Sequence, residues 1–167
     1  LDNATAGVYA AHGDNTNLVF SNSDFSGVGG HGIYLGVYSD NPGVVIDNVT
    51  ANGRTGGAYI RGTGTTVTGS DLSGSTSYAL LLLTGSDHSV HGTDLGDSGA
   101  GLYLYSTAAP YDIGDDLDND YSGSEYGLQL RSADGLTLDG WTLDNPGAAV
   151  YSAHGDNANL TFVDCDF

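Results

Sequence analysis

Residues 32–35 read Gly-Ile-Tyr-Leu, and related quartets recur along the whole chain. The seven copies are Gly7-Val8-Tyr9-Ala10, Gly32-Ile33-Tyr34-Leu35, Gly57-Ala58-Tyr59-Ile60, Tyr78-Ala79-Leu80-Leu81, Gly101-Leu102-Tyr103-Leu104, Gly127-Leu128-Gln129-Leu130 and Ala149-Val150-Tyr151-Ser152. They begin near residues 7, 32, 57, 78, 101, 127 and 149, which gives a period of 21 to 26 residues. Such a period is typical of stacked repeats, in which no single repeat can bury its own apolar face.

The second and fourth residues of a quartet are mainly aliphatic, as in Ile33 and Leu35. Because successive side chains of a strand point to opposite faces, this alternation predicts a strand with those residues inward. The third position is then outward, and it holds Tyr9, Tyr34, Tyr59, Leu80, Tyr103, Gln129 and Tyr151. Five tyrosines are thus predicted to form one exposed column. The column stabilises the stack by cross-strand contacts and is a candidate contact surface for glycans or a neighbouring rod.

A second strand is predicted later in each repeat, where a mostly polar residue precedes an apolar one. The pairs are Asp24-Phe25, Asn48-Val49, Asp71-Leu72, Asp94-Leu95, Asp116-Leu117, Thr142-Leu143 and Asp166-Phe167. Two strands per repeat, stacked about 4.8 Å apart on their equivalents, predict parallel sheets and a rod about 34 Å long.

The composition agrees with an all-β chain and narrows its partners. Lysine and methionine are absent, Glu125 is the single glutamate, and glycine supplies 27 of the 167 residues, so long helices are disfavoured. A net charge of -18 argues against nucleic acid and anionic membranes as partners. No apolar run approaches the roughly 20 residues needed to cross a bilayer, so membrane insertion is not expected.

The quartets and closing pairs together resemble the parallel β-helix repeat family, the carbohydrate-associated solenoids that include pectate lyases, polysaccharide epimerases, phage tailspikes and many surface proteins. The resemblance covers the whole chain and implies an all-β, right-handed parallel β-helix of about seven coils. The handedness agrees with the general rule for parallel crossovers. These motifs specify the fold far better than the function.

The two ends of the sequence are copies of each other. Residues 1–25 align with residues 143–167 at a constant offset of 142, with 16 identities in 25 positions. A larger unit of six coils therefore begins again at the end of the sequence. We expect the chain to be a segment of a longer array or a head-to-tail fibre.

The most acidic stretch, residues 112–125, is a candidate cation site. Asp116, Asp118 and Asp120 match the first three ligand positions of a calcium loop, because hard cations prefer carboxylate oxygens on a flexible turn. Tyr121 stands where an EF-hand requires glycine, and Glu125 arrives too early for the closing ligand. The hypothesis is therefore a looser calcium site, with a solvated acidic loop as the alternative.

Stacking also brings like charges together. Parallel register is predicted to place Asp71, Asp94 and Asp116 in one file about 4.8 Å apart, where adjacent carboxylates repel each other. Cations or high salt relieve such repulsion, so we expect folding or assembly to depend on cations.

Enzyme chemistry has less support. Arg61 and Arg131 are the candidate bases of a polysaccharide lyase, but they fall three coils apart, about 14 Å by strand spacing. His88 and His91 are three residues apart, so a strand places them on opposite faces and disfavours joint metal binding. No Gly-x-Ser-x-Gly nucleophile motif occurs. We do not expect an enzyme.

The function hypothesis is a structural or adhesive rod outside the cell or on its surface, associating head-to-tail or laterally and presenting acidic and tyrosine-lined surfaces. The alternative is a polysaccharide lyase or epimerase, or its glycan-binding portion. Glycosylation patterns at Asn3, Asn48 and Asn159 are consistent with an exterior location. An enzyme should have one coil that departs from the repeat to build a groove, whereas a rod repeats its surface.

Overall fold

A computed structural model describes residues 5–167, apart from the side chains of Val37 and Ala153. The described residues form fourteen β-strands and no helix. No helix in this part of the chain is therefore long and apolar enough to cross a membrane. The chain winds through seven coils, and each coil supplies one strand to each of two walls.

The first wall is a seven-stranded sheet in which every neighbouring pair is parallel. Its strands are β1 (Ala6–His12), β3 (His31–Tyr38), β5 (Gly56–Arg61), β7 (Tyr78–Gly85), β9 (Ala100–Thr107), β11 (Tyr126–Arg131) and β13 (Ala148–His154). Neighbours in the sheet are two strands apart in the chain, so each coil stacks directly on the one before. The predicted solenoid of seven coils is confirmed.

The second wall consists of shorter strands. β2 (Val19–Asp24), β4 (Val45–Thr50), β6 (Thr66–Thr68), β8 (His88–His91) and β10 (Tyr111–Ile113) form a five-stranded parallel sheet. β12 (Thr137–Asp139) and β14 (Thr161–Val163) form a separate pair. The break between β10 and β12 falls at the fifth coil, which has the longest period and carries the acidic stretch.

The core is a file of aliphatic side chains from each wall. Ile33 and Leu35, like their equivalents in the third to sixth coils, are fully buried. The second wall contributes Ile46, Val67, Val90 and Leu138, which are also fully buried. Burial of one such side chain contributes about 1.5 to 3 kcal/mol, so stacking is driven by these files. The predicted inward face of the quartets is confirmed in the coils that alternate clearly.

The fourth coil differs from the prediction by one residue. The register pairs Gly56 with Tyr78 and Tyr59 with Leu81. Leu80 is therefore inward and fully buried, and Leu81 takes the place in the tyrosine column. Residues 79–83 read Ala-Leu-Leu-Leu-Leu, and a run that is apolar throughout carries no alternation to fix the strand phase.

Two closing pairs were also misplaced. The bridges pair Thr50 with Asp71 and Asp94 with Asp120, so Thr50 and Asp120 occupy the positions assigned to Asn48 and Asp116. Leu117 is 90 % exposed, and Tyr121 closes the fifth coil instead. Asn48 and Val49 lie inside β4, two residues before the equivalent position, and Val49 is itself buried. In the longer fifth coil, a turn around residues 115–118 mimics the polar-apolar pattern before the strand position arrives.

Glycine at the start of a quartet is required by close packing. A Cβ atom added to Gly57 would clash with the carbonyl oxygen of Ala79 and lie 2.9 Å from the Cβ of Leu72. Because Gly57 has no side chain, Leu72, the closing apolar residue of the third coil, packs directly against the backbone at the start of that coil.

The duplicated ends fold alike. Phe20 and Phe25 meet edge to face at 6.2 Å, and their copies Phe162 and Phe167 do so at 5.8 Å. The coil that recurs in the sequence six coils later thus also repeats its local packing.

We predict that Leu104→Ala, which truncates a fully buried side chain, lowers the free energy of unfolding by about 2 to 5 kcal/mol. Val28→Ala is the control, because Val28 is 75 % exposed and its truncation should change stability by less than about 0.5 kcal/mol. Urea unfolding followed by far-UV circular dichroism measures both. Equal effects of the two substitutions would contradict the assigned core.

Candidate functional site

The outer surface of the seven-stranded sheet is here called the aromatic face, and Glu125, just before β11, is the carboxylate that reaches Tyr126 at its edge. None of its seven strands contains Asp or Glu, although the chain has 21. Two of the three arginines, Arg61 and Arg131, lie in these strands. The third, Arg54, is buried and donates hydrogen bonds to the carbonyl oxygens of Phe25 and Ser26. The face therefore differs in charge from the rest of the molecule.

The predicted tyrosine column runs along this face. Strand register aligns Tyr9, Tyr34, Tyr59, Leu81, Tyr103, Gln129 and Tyr151 in one file. Tyr9 is 65 % exposed, and the other four tyrosines are half-buried by their neighbours and not by the core. The outward orientation is confirmed, and the use of these tyrosines for contact stays a prediction.

The rings stack on one another, which changes what the column offers to a partner. Tyr9 and Tyr34 lie 5.2 Å apart with ring planes within 9°, and Tyr34 and Tyr59 lie 4.7 Å apart. Ring faces that cover each other cannot also stack on a sugar. Where these rings stack, the predicted tyrosine column therefore presents ring edges and hydroxyl groups, and not ring faces.

A second outward file alternates large and small residues. In order along the rod, this file consists of Ala6, His31, Gly56, Tyr78, Ala100, Tyr126 and Ala148. The His31 and Tyr78 rings both lie against Gly56, and Tyr126 stacks on Tyr151 at 4.4 Å. This alternation of large and small residues is present in the sequence at the residue before each quartet. It is recognised only when the quartet of the fourth coil is shifted by one residue, so that Tyr78 precedes it.

His31 and Tyr78 meet across this file. His31 Nε2 lies 2.7 Å from the Tyr78 hydroxyl oxygen. Burial lowers the pKa of His31, and burial, reinforced by neighbouring tyrosines, raises the pKa of Tyr78. Burial likewise raises the pKa of Tyr59 to about 12. Near neutral pH the imidazole is therefore neutral and the phenols keep their protons.

A third outward file holds the cations. Arg61, Leu83, Tyr105 and Arg131 are aligned by register, so the two arginines are three coils apart as predicted. The Arg131 guanidinium carbon lies 4.6 Å from the centre of the Tyr105 ring, within cation–π range. His12 stacks on Tyr38 at 5.3 Å in the first two coils. Aromatic and cationic groups thus share one surface.

The predicted calcium ligands diverge. Asp116 accepts a hydrogen bond from the Thr142 amide, Asp120 accepts one from the Ser122 amide, and Asp118 contacts His91. Asp116 and Asp120 line a shallow cavity of about 190 Å³. Across residues 5–167, no group of three or more His, Cys, Asp or Glu side chains is arranged to hold a metal ion. Calcium binding by this stretch stays a prediction.

His91 is held between two carboxylates of the next coil. Its Nδ1 lies 2.5 Å from Asp118 and its Nε2 lies 3.1 Å from Asp112. Partial burial lowers the pKa of His91, but hydrogen bonds and charge from Asp118 and Asp112 outweigh this and raise it overall. His88 points the other way and is fully buried, which confirms that the two histidines lie on opposite faces.

The family model for the right-handed β-helix region matches residues 2–167. The chain belongs to the right-handed β-helix family. Comparison with curated proteins and with solved structures gave no match. Membership supports the fold and leaves the role open, because this fold carries both enzymes and non-enzymes.

Aspartates stack in one file of this β-helix, with two corrections to the prediction. Register aligns Asp24, Thr50, Asp71, Asp94 and Asp120. Each aspartate accepts a hydrogen bond from the amide two residues later, as Asp94 does from Gly96 at 3.0 Å. These turns satisfy one carboxylate oxygen in every coil that carries the aspartate.

The pKa values of Asp24 and Asp94 show how these hydrogen bonds compete with burial and with the charges of neighbouring aspartates. The hydroxyl and amide of Ser26 lower the pKa of Asp24. Burial and the charges of Asp71, Asp120 and Asp97 raise the pKa of Asp94, against the opposing effect of the Gly96 amide. The repulsion expected from stacking is therefore concentrated at Asp94, which has charged neighbours on both sides.

We predict that Asp94→Asn stabilises the β-helix at pH 7 by about 0.2 to 1 kcal/mol, because the amide keeps the turn and removes a stacked charge. The raised pKa means that the folded chain binds this proton more tightly than the unfolded chain does. The advantage should therefore shrink as pH falls through the folded pKa of Asp94, and molar sodium chloride should screen its charge–charge part.

Thermal unfolding measures this effect, with Asp139→Asn as the control. Asp139 is exposed and its register partner is Val163, so it has no stacked carboxylate there. A stabilisation as large in Asp139→Asn would show that net charge, and not stacking, is responsible.

Proposed function

We propose that the chain is a structural or adhesive rod segment that works outside the cell and makes its contacts through the aromatic face. One observation carries the proposal: the strands of the aromatic face contain no Asp or Glu in any of the seven coils, in a chain with a net charge of -18. A localised active site would not require a whole wall to be free of acids. A surface used along the rod would.

Desolvation gives the physical reason. A contact that covers carboxylates must remove them from water, which costs several kcal/mol per unpaired charge. The aromatic face avoids this cost and presents tyrosine hydroxyls, ring edges and the Arg131 side chain. Tyrosine and arginine are the residues most enriched where protein surfaces bind.

The partners that fit are glycans and neighbouring rods. A polysaccharide meets hydrogen-bond donors and acceptors from the tyrosine hydroxyls and charge from Arg131. A second rod meets a regular surface whose files repeat at the strand spacing of about 4.8 Å. Within residues 5–167, the acidic side chains all lie in the second wall and the loops, here together called the acidic wall. Both associations leave this acidic wall in solvent, where it keeps the rods from joining through that side.

A polysaccharide lyase or epimerase is the second candidate, and the fifth coil favours it. This coil interrupts the second sheet between β10 and β12. Its strand β10 places Asp112 beside His91, and the loop that follows brings Asp118 to the same imidazole. Release of unsaturated or epimerised sugar from acidic polysaccharides, lost in Asp118→Asn, would support an enzyme. Absence of turnover together with glycan binding would support the rod.

We predict that Arg131→Gln weakens binding to any insoluble polysaccharide that binds the wild-type chain, because the substitution removes an exposed cation beside Tyr105. Co-sedimentation with insoluble polysaccharides measures glycan binding, and sedimentation velocity measures lateral association. Asp47→Asn is the control for a substitution away from this face, since Asp47 is exposed on the second wall; it raises the net charge by one, whereas Arg131→Gln lowers it by one. If Asp47→Asn reduces binding as much as Arg131→Gln, the contact surface is not the aromatic face.

We also propose that cations stabilise the acidic wall, with Asp116, Asp118 and Asp120 as the first candidates for a calcium site. The predicted result is a higher unfolding midpoint in molar sodium chloride and in millimolar calcium than in dilute buffer with a chelator. A calcium effect that survives high salt and disappears in Asp116→Asn indicates a specific site. An unchanged midpoint in all buffers contradicts cation dependence.

A further inference from the structure

His31 and Tyr78 contact each other across a glycine in the intervening strand. They lie two coils apart, with Gly56 between them in the file. A Cβ atom at Gly56 would lie 2.7 Å from ring atoms of both side chains. The absent side chain lets the His31 ring and the Tyr78 ring reach over the intervening strand and form their 2.7 Å hydrogen bond.

We propose that Tyr78 is a redox-active tyrosine, oxidised by an outer-sphere one-electron oxidant while its phenolic proton passes to His31. In this step Tyr78 loses one electron to the oxidant and its O–H bond breaks. The proton forms a new N–H bond at His31 Nε2. The products are a neutral phenoxyl radical, an imidazolium and the reduced oxidant. The inference stands independently of the proposed function.

The first argument is the position of the base. Removal of an electron alone would leave a cationic phenol in a desolvated site, so a proton acceptor must already be in place. The seven strands of the aromatic face offer no carboxylate, and His31 touches the phenol directly. Burial keeps the imidazole neutral and the phenol protonated, so the proton lies on Tyr78 until the electron leaves.

The second argument is the contact with other rings. The Tyr78 ring centre lies 6.5 Å from that of Tyr59, which stacks on Tyr34, which stacks on Tyr9. These ring contacts connect Tyr78 with Tyr9, which is 65 % exposed. They give the electron that leaves Tyr78 a path toward an oxidant at the surface, while the proton stays on His31 and the radical stays on Tyr78.

Other tyrosines with assigned hydrogen bonds have weaker acceptors. The Tyr111 hydroxyl donates to Thr107, and that of Tyr121 donates to the Gly114 carbonyl. Neither acceptor takes up a proton near neutral pH. Tyr126 lies beside the Glu125 carboxylate, which is a weaker base than imidazole. Tyr126 is therefore the right comparison for Tyr78.

The test uses the full chain in a Cys165→Ser background, which removes the free thiol as a competing reductant. Serine already stands at the equivalent position 23. Hexachloroiridate(IV) serves as the oxidant, stopped-flow absorbance gives the rate, and electron paramagnetic resonance separates tyrosyl from tryptophanyl radicals formed at Trp141. Circular dichroism verifies that each variant folds.

Tyr78→Phe is expected to lower the rate of tyrosyl formation by roughly 100-fold, the low end of what a positioned base contributes. Tyr126→Phe should leave it unchanged. His31→Leu should lower it by a similar factor. In the Cys165→Ser protein that retains His31 and Tyr78, the reaction should be slower in D₂O than in H₂O, and this difference should vanish in His31→Leu.

The pH profile adds an independent readout. The rate should fall as pH is lowered through the pKa of His31, because the imidazolium cannot accept a proton. The groups that face the pair are Tyr34, Tyr59 and Tyr103, with Arg61 near Tyr59, and no carboxylate is among them. Equal rates in Tyr78→Phe and Tyr126→Phe, or no D₂O effect with His31 and Tyr78 both present, would overturn the proposal.

Discussion

The structure depends on one constraint, the parallel register that places each residue about 4.8 Å from its equivalent in the next coil. Every property of a position is thereby multiplied along the rod. Aliphatic residues such as Ile33 gain from this, because like packs on like and the core becomes continuous. Aromatic residues gain as well, since ring faces are shared between coils. Only charged residues lose.

The chain manages stacked charge in three ways. It places threonine in the aspartate file at Thr50, which separates Asp24 from Asp71. It ties each aspartate of the file to the amide two residues later, so that the carboxylate is partly neutralised by backbone dipoles. It also keeps acids out of one entire wall. The outcome is a rod with two chemically different sides, although both sides are made of the same winding backbone.

Sequence reasoning worked where a position had a clear alternation. Ile33 and Leu35 flank Tyr34, and period two leaves only one phase that buries the aliphatic pair. It failed at residues 79–83, where every side chain is apolar and the phase is set by hydrogen bonding to the neighbouring coils. It failed again at Leu117, because a turn in the longest coil copied the local pattern of a closing strand.

The candidate sites were less predictable because they arise between coils. His31 and Tyr78 are 47 residues apart and meet only because Gly56 leaves a gap, which no local pattern reveals. The Asp118 contact with His91 likewise joins two coils. Conversely, Asp116, Asp118 and Asp120 are close in sequence but turn toward different partners. Proximity along the chain was a poor guide to proximity of side chains.

The alternation of large and small residues in the second outward file restricts how such a rod can evolve. His31, Tyr78 and Tyr126 each need a small residue in the adjacent coil, so the file has a repeat of two coils. Gain or loss of a single coil would place two large residues in adjacent coils, or two small residues with a gap between them. Coils should therefore be inherited in even numbers, and the offset of 142 residues between the two copies, which carries Ala6 onto Ala148, comprises six coils.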